Sequence, residues 1–181
     1  MFEHAGQGYA GHGTLCGALG VCSCLINLVV YDDKHSYAPL IDRMMWWYAQ
    51  MEFPTERFDD ISAFPKQVKA KATTPLCHTS VSKWTLTVGT EVTSKEKYER
   101  CAKVAGEVVF TVVHSLNEYF AGRWTPAKWT PSEEITDCIA CHGPESYGDY
   151  SDGMNQQQGH MECLHCHKDH MKMLLNKGTR E

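Results

Sequence analysis

Cys138-Ile-Ala-Cys141-His142 and, near the C-terminal end of the chain, Cys163-Leu-His-Cys166-His167 share one spacing. Both stretches read C-x-x-C-H, the pattern typical of covalent attachment of a c-type haem. In such a site two thiols bind the porphyrin, and the histidine that follows them coordinates the iron. The sequence therefore predicts two covalently bound c-type haems. The predicted attachment residues are Cys138, Cys141, Cys163 and Cys166, and the predicted proximal iron ligands are His142 and His167.

Two other kinds of site use C-x-x-C pairs, and both explain this sequence less well. A zinc ribbon would use all four thiols, but it gives no reason for a histidine directly after each second cysteine. A thioredoxin-like redox motif has one such pair at the start of a helix in a βαβ unit, and the sequence pattern contains no such unit. The repeated C-x-x-C-H pattern thus favours haem over a zinc or dithiol site.

The sixth coordination position of each iron would be filled by histidine or methionine, and the choice decides whether a substrate can reach the metal. Histidines are concentrated around the second motif, which favours bis-histidine ligation and electron transfer. Each of them could equally be an exposed, non-ligating side chain. The candidates are His160, His165 and His170, together with His4 and His12, whose glycine-rich segment could reach another subunit. The sulfur alternatives are Met154, Met161, Met171 and Met173.

The composition is that of a globular protein, with 43% hydrophobic and 22% charged residues and a formal net charge of -5. These values disfavour a disordered chain and a nucleic acid partner. The most apolar run, Leu25 to Tyr31, is too short to span a membrane. C-type haems are normally attached after export, yet Met1 to His4 lack the basic and apolar parts of a signal peptide. We therefore expect a periplasmic or extracellular protein whose signal peptide has been removed.

Hydrophobic periodicity predicts a mainly α fold. Apolar residues at intervals of three and four predict helices from Leu15 to Tyr31, from Tyr37 to Met51 and from about Lys95 to Phe120. The third of these begins with alternating charges and places Val104, Val108 and Val112 on one face. Thr14 is the predicted N-cap of the first helix, and Thr79 or Ser80 is the predicted N-cap of a further helix of one or two turns. His114 is interpreted as a packed, hydrogen-bonded histidine.

Prolines at positions 126 and 131 mark the clearest boundary in the chain. They predict an N-terminal helical domain over residues 1–130, followed by a small, loop-rich C-terminal dihaem module over residues 131–181. Within that module we expect a helical turn beginning at residues 131–134, a loop over residues 143–159 and a terminal helix over residues 160–176.

Of the 9 cysteines in the chain, three outside the haem motifs fall on separate segments, as the ligands of an iron–sulfur cluster do. They are Cys16, Cys77 and Cys101. Cys22 and Cys24 would lie about 9 and about 12 Å along a helix from Cys16, which is awkward for one small cluster. His78 could complete a mixed ligand set. Buried structural thiols that pack as small hydrophobic side chains are an equal alternative.

The chain resembles the split-Soret cytochrome c family in the order of its cysteine motifs. The resemblance lies in Gly11-His-Gly-Thr14-Leu-Cys16-Gly-Ala-Leu-Gly20, Trp47-Tyr48, Pro75-Leu-Cys77-His78, Glu99-Arg100-Cys101 and the two C-x-x-C-H motifs. It implies a mainly helical homodimer with two mutually packed haems per subunit, histidine on both axial sides, and ligation that crosses the dimer interface. It also implies an iron–sulfur pocket at Cys16, Cys77 and Cys101. The family has a further cysteine upstream of the glycine-rich stretch, where the printed sequence has none.

These features favour an electron carrier rather than an enzyme. We expect electron transfer outside the cytoplasm with other redox proteins as partners, and the family resemblance implies a role in anaerobic respiration. One alternative is a haem enzyme that reduces peroxide or another small molecule at an open iron. A second alternative is a subunit of a multihaem wire, or higher homo-oligomer, in which His4 or His12 ligates the haem of a neighbour.

Overall fold

The computed structural model describes residues 2–32, 34–126, 132–142 and 161–164, with positions 139–142 described by their backbone alone. The chain divides into two compact units, Met1–Trp129 and Thr130–Glu181. The loop predicted over residues 143–159 and the helix predicted over residues 160–176 lie outside the described residues, apart from positions 161–164. No described helix combines the length and the apolar character that crossing a membrane requires.

The first unit is built mainly from helices, which confirms the predicted fold class. Its helices are α1 (Gly17–Val29), α2 (Tyr37–Gln50), α3 (Cys77–Val88) and α4 (Lys95–Phe120). Two short strands, β1 (Glu52–Phe53) and β2 (Ala70–Lys71), form an antiparallel pair, and single 3-10 turns lie at Glu3–Ala5 and Asp59–Ile61. In the second unit α5 spans Glu133–His142, in agreement with the predicted start of a helical turn at residues 131–134.

The hydrophobic core of the first unit lies among α1, α2 and α4. Each helix contributes apolar side chains three or four residues apart, because that spacing places them on one face. Burial of each such side chain contributes about 1.5–3 kcal/mol. The predicted apolar faces of α2 and α4 are therefore confirmed. The buried members include Leu19, Ile26, Leu40, Met44, Tyr48, Val104, Val108 and Val112.

The boundaries of α4 follow from local sequence. Ser94 is its N-cap, and the Ser94 hydroxyl oxygen accepts a hydrogen bond from the backbone N–H of Lys97 at 3.1 Å. The helix ends before Gly122, which has a positive φ of 69°. The predicted limits of this helix are confirmed.

Both N-cap predictions, for α1 and for α3, are wrong, because backbone contacts with distant segments replace side-chain caps. The N-cap of α1 is Cys16 rather than Thr14, whose hydroxyl instead donates to the carbonyl oxygen of Gly8 at 2.9 Å. α3 begins at Cys77, earlier than Thr79 or Ser80, and continues to Val88, so it is also longer than the predicted one or two turns. Carbonyl oxygens of the N-terminal loop accept the first free N–H groups of α3, and no serine or threonine cap is needed.

Candidate functional site

Two cysteines lie beside each other where the N-terminal loop meets the start of α3. The backbone N–H of Cys16 donates to the carbonyl oxygen of Pro75 at 2.9 Å, and the N–H of Cys77 donates to that of Thr14 at 2.7 Å. Cys16 caps α1 and Cys77 is the first residue of α3. Both thiols therefore lie at helix N-termini, where the peptide dipoles favour negative charge.

Glycines allow the N-terminal loop to lie directly against Cys77 and His78. Gly8 has a φ of 69°, and a Cβ at this position would lie 2.7 Å from the Cβ of Cys77. Gly13 has a φ of 67°, and a Cβ there would lie 3.1 Å from the Cβ of His78. Because any larger residue would need both a left-handed backbone and displaced neighbours, these two positions require glycine.

A third thiol, Cys101 in α4, completes the surroundings of Cys77. The pKa of Cys77 is raised to about 11, mainly by burial and also by the nearby thiols of Cys16 and Cys101, while Arg100 and Lys97 oppose the rise. The structure therefore gathers the three predicted cysteines around Cys77. We call Cys16, Cys77 and Cys101 the cysteine pocket.

The other predicted cluster ligands are less well placed. Cys22 is buried in the core, and burial, followed by the nearby Cys16 thiol, raises its pKa to about 11. Cys24 and His78 are exposed. Among the described residues, no three histidine, cysteine, aspartate or glutamate side chains lie close enough together to hold a metal ion. The iron–sulfur cluster stays a prediction.

Two buried cations adjoin the cysteine pocket. Arg100 is only 2% exposed, and its Nη2 donates to the hydroxyl oxygen of Ser80 at 2.8 Å. The hydroxyl of Tyr48 donates to the same oxygen at 2.9 Å. The Nε of Arg100 is buried and has no acceptor within the part of the chain that the structure describes. Lys97 is also buried, with its Nζ 3.5 Å from the centre of the Tyr98 ring.

Sequence reasoning missed this polar layer of Tyr48, Ser80, Lys97 and Arg100. Burial raises the pKa of Tyr48 above its usual range, and the nearby Cys16 thiol contributes to the rise. Tyr48 therefore remains protonated and able to donate. A signal for the two cations was present, since positions 97, 100, 104 and 108 share one helical face and the last two are valines. A lysine and an arginine on the apolar face of a helix indicate buried charge.

In the second unit, the first cysteines of the two C-x-x-C-H motifs lie together. The pKa of Cys138 is raised to about 11, first by burial and then by the neighbouring Cys163 thiol, which acts by charge and by hydrogen bonding. The carboxylate of Glu134 accepts the backbone N–H of Leu164 at 2.7 Å, which fastens the second motif to α5. Ser132 strengthens this link, since its hydroxyl donates to a carboxylate oxygen of Glu162 at 2.8 Å.

The other histidines and cysteines singled out from the sequence lie on α5, in the N-terminal loop, on α4, or outside the described residues. Positions 138, 141 and 142 lie on α5 at i, i+3 and i+4, so one face of the helix carries the first motif. His4 and His12 are exposed in the N-terminal loop. His114 is exposed, so its interpretation as a packed histidine is wrong; α4 turns position 114 away from the face that carries Val108 and Val112. Outside the described residues lie Cys166, His167, His160, His165, His170, Met154, Met171 and Met173.

Known proteins resemble this chain over most of its length. The sequence profile of a family described as "Putative redox-active protein (C_GCAxxG_C_C)" matches residues 1–115. The chain is 25% identical over 170 residues to split-Soret cytochrome c of Desulfovibrio desulfuricans (strain ATCC 27774 / DSM 6949 / MB), covering 92% of this chain. It spans only 58% of the length of that relative.

A solved structure, described as "A novel iron centre in the split-Soret cytochrome c from Desulfovibrio desulfuricans ATCC 27774", is also similar. The TM-score is 0.77 at 25% identity, over 93% of this chain and 69% of the other. The resemblance inferred from the cysteine motifs is thus confirmed, and the chain is related to a redox-active haem protein.

The pattern in the family description matches the cysteine pocket. It contains four cysteines: the first has no counterpart upstream of Cys16 in the printed sequence, the second is followed four residues later by glycine, and two further cysteines come after it. This chain has that spacing at Cys16 and Gly20, followed by Cys77 and Cys101. Gly20 leaves room for the hydroxyl group of Tyr9, which a Cβ at this position would displace.

Proposed function

The chain belongs to the C_GCAxxG_C_C family of redox-active proteins, and we propose that it is a dihaem cytochrome c that transfers electrons outside the cytoplasm. The observation that carries the proposal is the pair of C-x-x-C-H motifs whose first cysteines, Cys138 and Cys163, interact directly. Two attachment sites this close together favour haems packed against each other. Electron exchange between such haems is the activity that this arrangement suits.

The chain has the residues that two c-type haems require, and the donor set fits the group. Cys138, Cys141, Cys163 and Cys166 would hold the porphyrins, and His142 and His167 would bind the irons. When bound, haem supplies a one-electron iron couple whose potential depends on its axial ligands. The bond from Leu164 to Glu134 and the bond from Ser132 to Glu162 would hold the two attachment segments in fixed proximity.

Histidine at both axial positions would close the irons to substrates, which favours a carrier over an enzyme. His160, His165 and His170 are the candidates within the second unit. His4 and His12 are exposed, so another copy of the chain could reach them. This exposure supports a homodimer, or a longer homo-oligomer, in which ligation crosses between subunits.

The cysteine pocket is proposed as a second redox centre that holds an iron–sulfur cluster. Three thiols from separate segments are suitable soft ligands, and the unpaired Nε of buried Arg100 fits a pocket that takes an anionic group. At least one thiol side chain would have to rotate, because the described side chains do not form a closed metal site. Together with the haems, such a cluster would give a chain of one-electron centres for exchange with redox protein partners.

Haem quantification and visible spectroscopy test the dihaem proposal. The pyridine haemochrome assay is expected to give two haems per chain, and both are expected to be low-spin in the oxidised and reduced protein. A high-spin haem that binds an added ligand such as cyanide would favour the enzyme alternative. A count below two would contradict the dihaem assignment.

Replacing histidines tests the trans-ligation proposal. His4→Ala or His12→Ala is expected to convert one haem to a high-spin species if that histidine binds the iron of a neighbour. The exposed His35, which lies in the turn before α2, provides the control, and His35→Ala should leave the spectrum unchanged. Unchanged spectra for both His4 and His12 variants would restrict the sixth ligands to the C-terminal histidines.

A further inference from the structure

One face of α4 carries a row of four buried charged side chains: Lys97, Arg100, Lys103 and Glu107. The residues are spaced three or four apart, so they follow one another along the helix. Charged groups are seldom buried unless an opposite charge compensates them. The groups that surround each of these four side chains therefore indicate whether its charge is compensated within the protein.

The C-terminal half of the row is compensated within the protein. Lys103 forms an ion pair with Asp59 at 2.6 Å and also donates to the carbonyl oxygen of Phe64 at 2.8 Å. Glu107 accepts from Arg57 at 3.4 Å and from the hydroxyl of Thr55. Both groups thus have an opposite charge within reach.

The N-terminal half of the row has no such compensation. Among the described residues, neither Lys97 nor Arg100 forms an ion pair with a carboxylate. The only acceptor of Arg100 in that part of the chain is the uncharged hydroxyl of Ser80, and its Nε is unpaired. Two buried positive charges without an anion are costly, unless an anionic group occupies the adjoining space.

Hydrogen-bond donors are also in excess at this end. The Ser80 oxygen already accepts from Tyr48 and from Arg100, so its own proton is free to donate elsewhere. Tyr48 stays protonated because burial raises its pKa above the usual range. The thiols of the cysteine pocket lie in the same neighbourhood, since Cys77 interacts electrostatically with both cations. Positive charge and surplus donors together match an anionic sulfur group.

We propose that Arg100, assisted by Lys97, is the counter-charge of an anionic metal–thiolate centre at Cys16, Cys77 and Cys101, and that it sets the stability and reduction potential of that centre. The inference rests on the proposed cysteine centre and is independent of the haems. Each thiol that binds iron of the proposed cluster releases its proton to solvent and brings one negative charge to the centre. A guanidinium group nearby favours this state. Reduction of one Fe(III) of the centre to Fe(II), with the electron supplied by a redox protein partner, adds one further negative charge, so Arg100 also favours the reduced form.

A purely structural role for Arg100 is the competing explanation, because its bond to Ser80 links α4 to α3. Stability measurements alone do not distinguish the two roles. The reduction potential does, since a structural role would leave it unchanged in any variant that folds.

The test compares Arg100→Met, Arg100→Lys and Lys97→Met with the control Lys103→Met. Each full-length, haem-containing protein is incubated anaerobically with Fe(II) and sulfide and then desalted. Non-haem iron is obtained by subtracting haem iron from total iron, and the midpoint potential of the non-haem centre is measured by EPR during dithionite titration. The control removes a buried cation from the same helix, but one that Asp59 already compensates.

The wild type is expected to hold more non-haem iron than Cys77→Ser. In Arg100→Met the equilibrium constant for reduction of the non-haem centre is expected to fall about tenfold. For a one-electron couple this shifts the midpoint potential by about 59 mV to a more negative value. Arg100→Lys should restore part of this shift, and Lys97→Met should show a smaller one. Lys103→Met should unfold at a lower temperature with an unchanged potential.

The proposal is overturned by equal iron content and equal potential in Arg100→Met and the wild type. If Arg100→Met does not fold, unchanged potentials in both Arg100→Lys and Lys97→Met overturn it instead. A wild type that takes up no more iron than Cys77→Ser also contradicts it. Failure of the dihaem proposal is recorded separately, as a haem count below two in the same samples.

Discussion

The two halves of the buried charged face of α4 differ in what compensates their charges. At the C-terminal half, the segment around Asp59 and Arg57 supplies opposite charges to Lys103 and Glu107. At the N-terminal half, Arg100 and Lys97 face thiols and hydroxyls and form no ion pair among the described residues. Buried ion pairs hold segments in register, whereas an uncompensated cation needs an anion that the folded chain alone does not provide.

The two halves of this face of α4 therefore have different roles: one holds neighbouring segments together, and the other adjoins the cysteine pocket. The compensated half fixes the long connection between α2 and α3 against α4. The uncompensated half lies beside Cys16 and Cys77, which stand at the N-termini of α1 and α3, so peptide dipoles and side-chain charges there have the same sign. This positive potential does little to stabilise neutral thiols, whereas it would stabilise thiolates.

The largest expected effect of a single substitution in this comparison comes from Gly8. Alanine at this position would require a left-handed backbone and would press its Cβ against that of Cys77, 2.7 Å away. We expect Gly8→Ala to lower the free energy of unfolding by about 2 to 5 kcal/mol, from backbone strain and overpacking together. Urea unfolding followed by far-UV circular dichroism measures this loss.

Gly11→Ala is the matched control for Gly8→Ala. Gly11 also has a positive φ, 88°, but nothing lies within 4 Å of a Cβ placed there. It should therefore lose only the backbone contribution, about 1 to 2 kcal/mol. Equal losses in the two variants would mean that the loop does not pack on Cys77 as the structure describes.

The second effect concerns the polar layer under the cysteine pocket. Ser80→Ala removes the oxygen that accepts from both Tyr48 and Arg100. Because a buried donor without an acceptor costs about 1 to 3 kcal/mol, we expect a loss in this range from urea unfolding. Tyr48→Phe removes only one donor and should cost about 1 kcal/mol.

A double-mutant cycle of Tyr48→Phe and Ser80→Ala makes this prediction sharper. If the two side chains share the bond described, the combined loss is smaller than the sum of the single losses. Strict additivity would show that Ser80 and Tyr48 do not interact. That result would also remove the argument that donors are in excess beside Arg100.

The helices of the core could be predicted from sequence because their information is local. The apolar spacing that places Met44 and Tyr48 on one face of α2, and Val104 and Val108 on one face of α4, is visible in any short window. The limits of α4 were predictable for the same reason, since Ser94 precedes its first charged residues and Gly122 follows its end.

The start of α3 and the cysteine pocket depend on contacts that local sequence does not reveal. The first N–H groups of α3 are accepted by carbonyl oxygens of Gly13 and Thr14, more than 60 residues earlier in the chain. The pocket cysteines could be named because each stands in a distinctive motif, whereas the only signal for the buried cations is the helical face that they share with Val104 and Val108. Lys97 and Arg100 belong to an alternating charged segment, which is typical of a solvated helix start and is here turned inward.

The smallest expected effect comes from replacing Glu107, which lies in the compensated half of the row. Burial raises the pKa of this carboxyl above its usual value, and Arg57 only partly offsets the rise. Since the folded-state pKa lies above the unfolded one, the contribution of Glu107 to stability is full below the unfolded pKa and is lost as the pH rises through the folded pKa. Glu107→Gln, which cannot ionise, escapes this loss.

We therefore expect Glu107→Gln to differ from the wild type by less than about 1 kcal/mol at neutral pH, because its partner Arg57 is 43% exposed and water can solvate the guanidinium group once the carboxylate is removed. Its stability relative to the wild type should increase as the pH rises from 4 to 7, measured by urea unfolding across that range. The opposite slope would mean that Arg57 compensates Glu107 fully. The C-terminal half of α4 would then be the more strongly paired of the two, and its contrast with the half at Arg100 would be larger than the structure indicates.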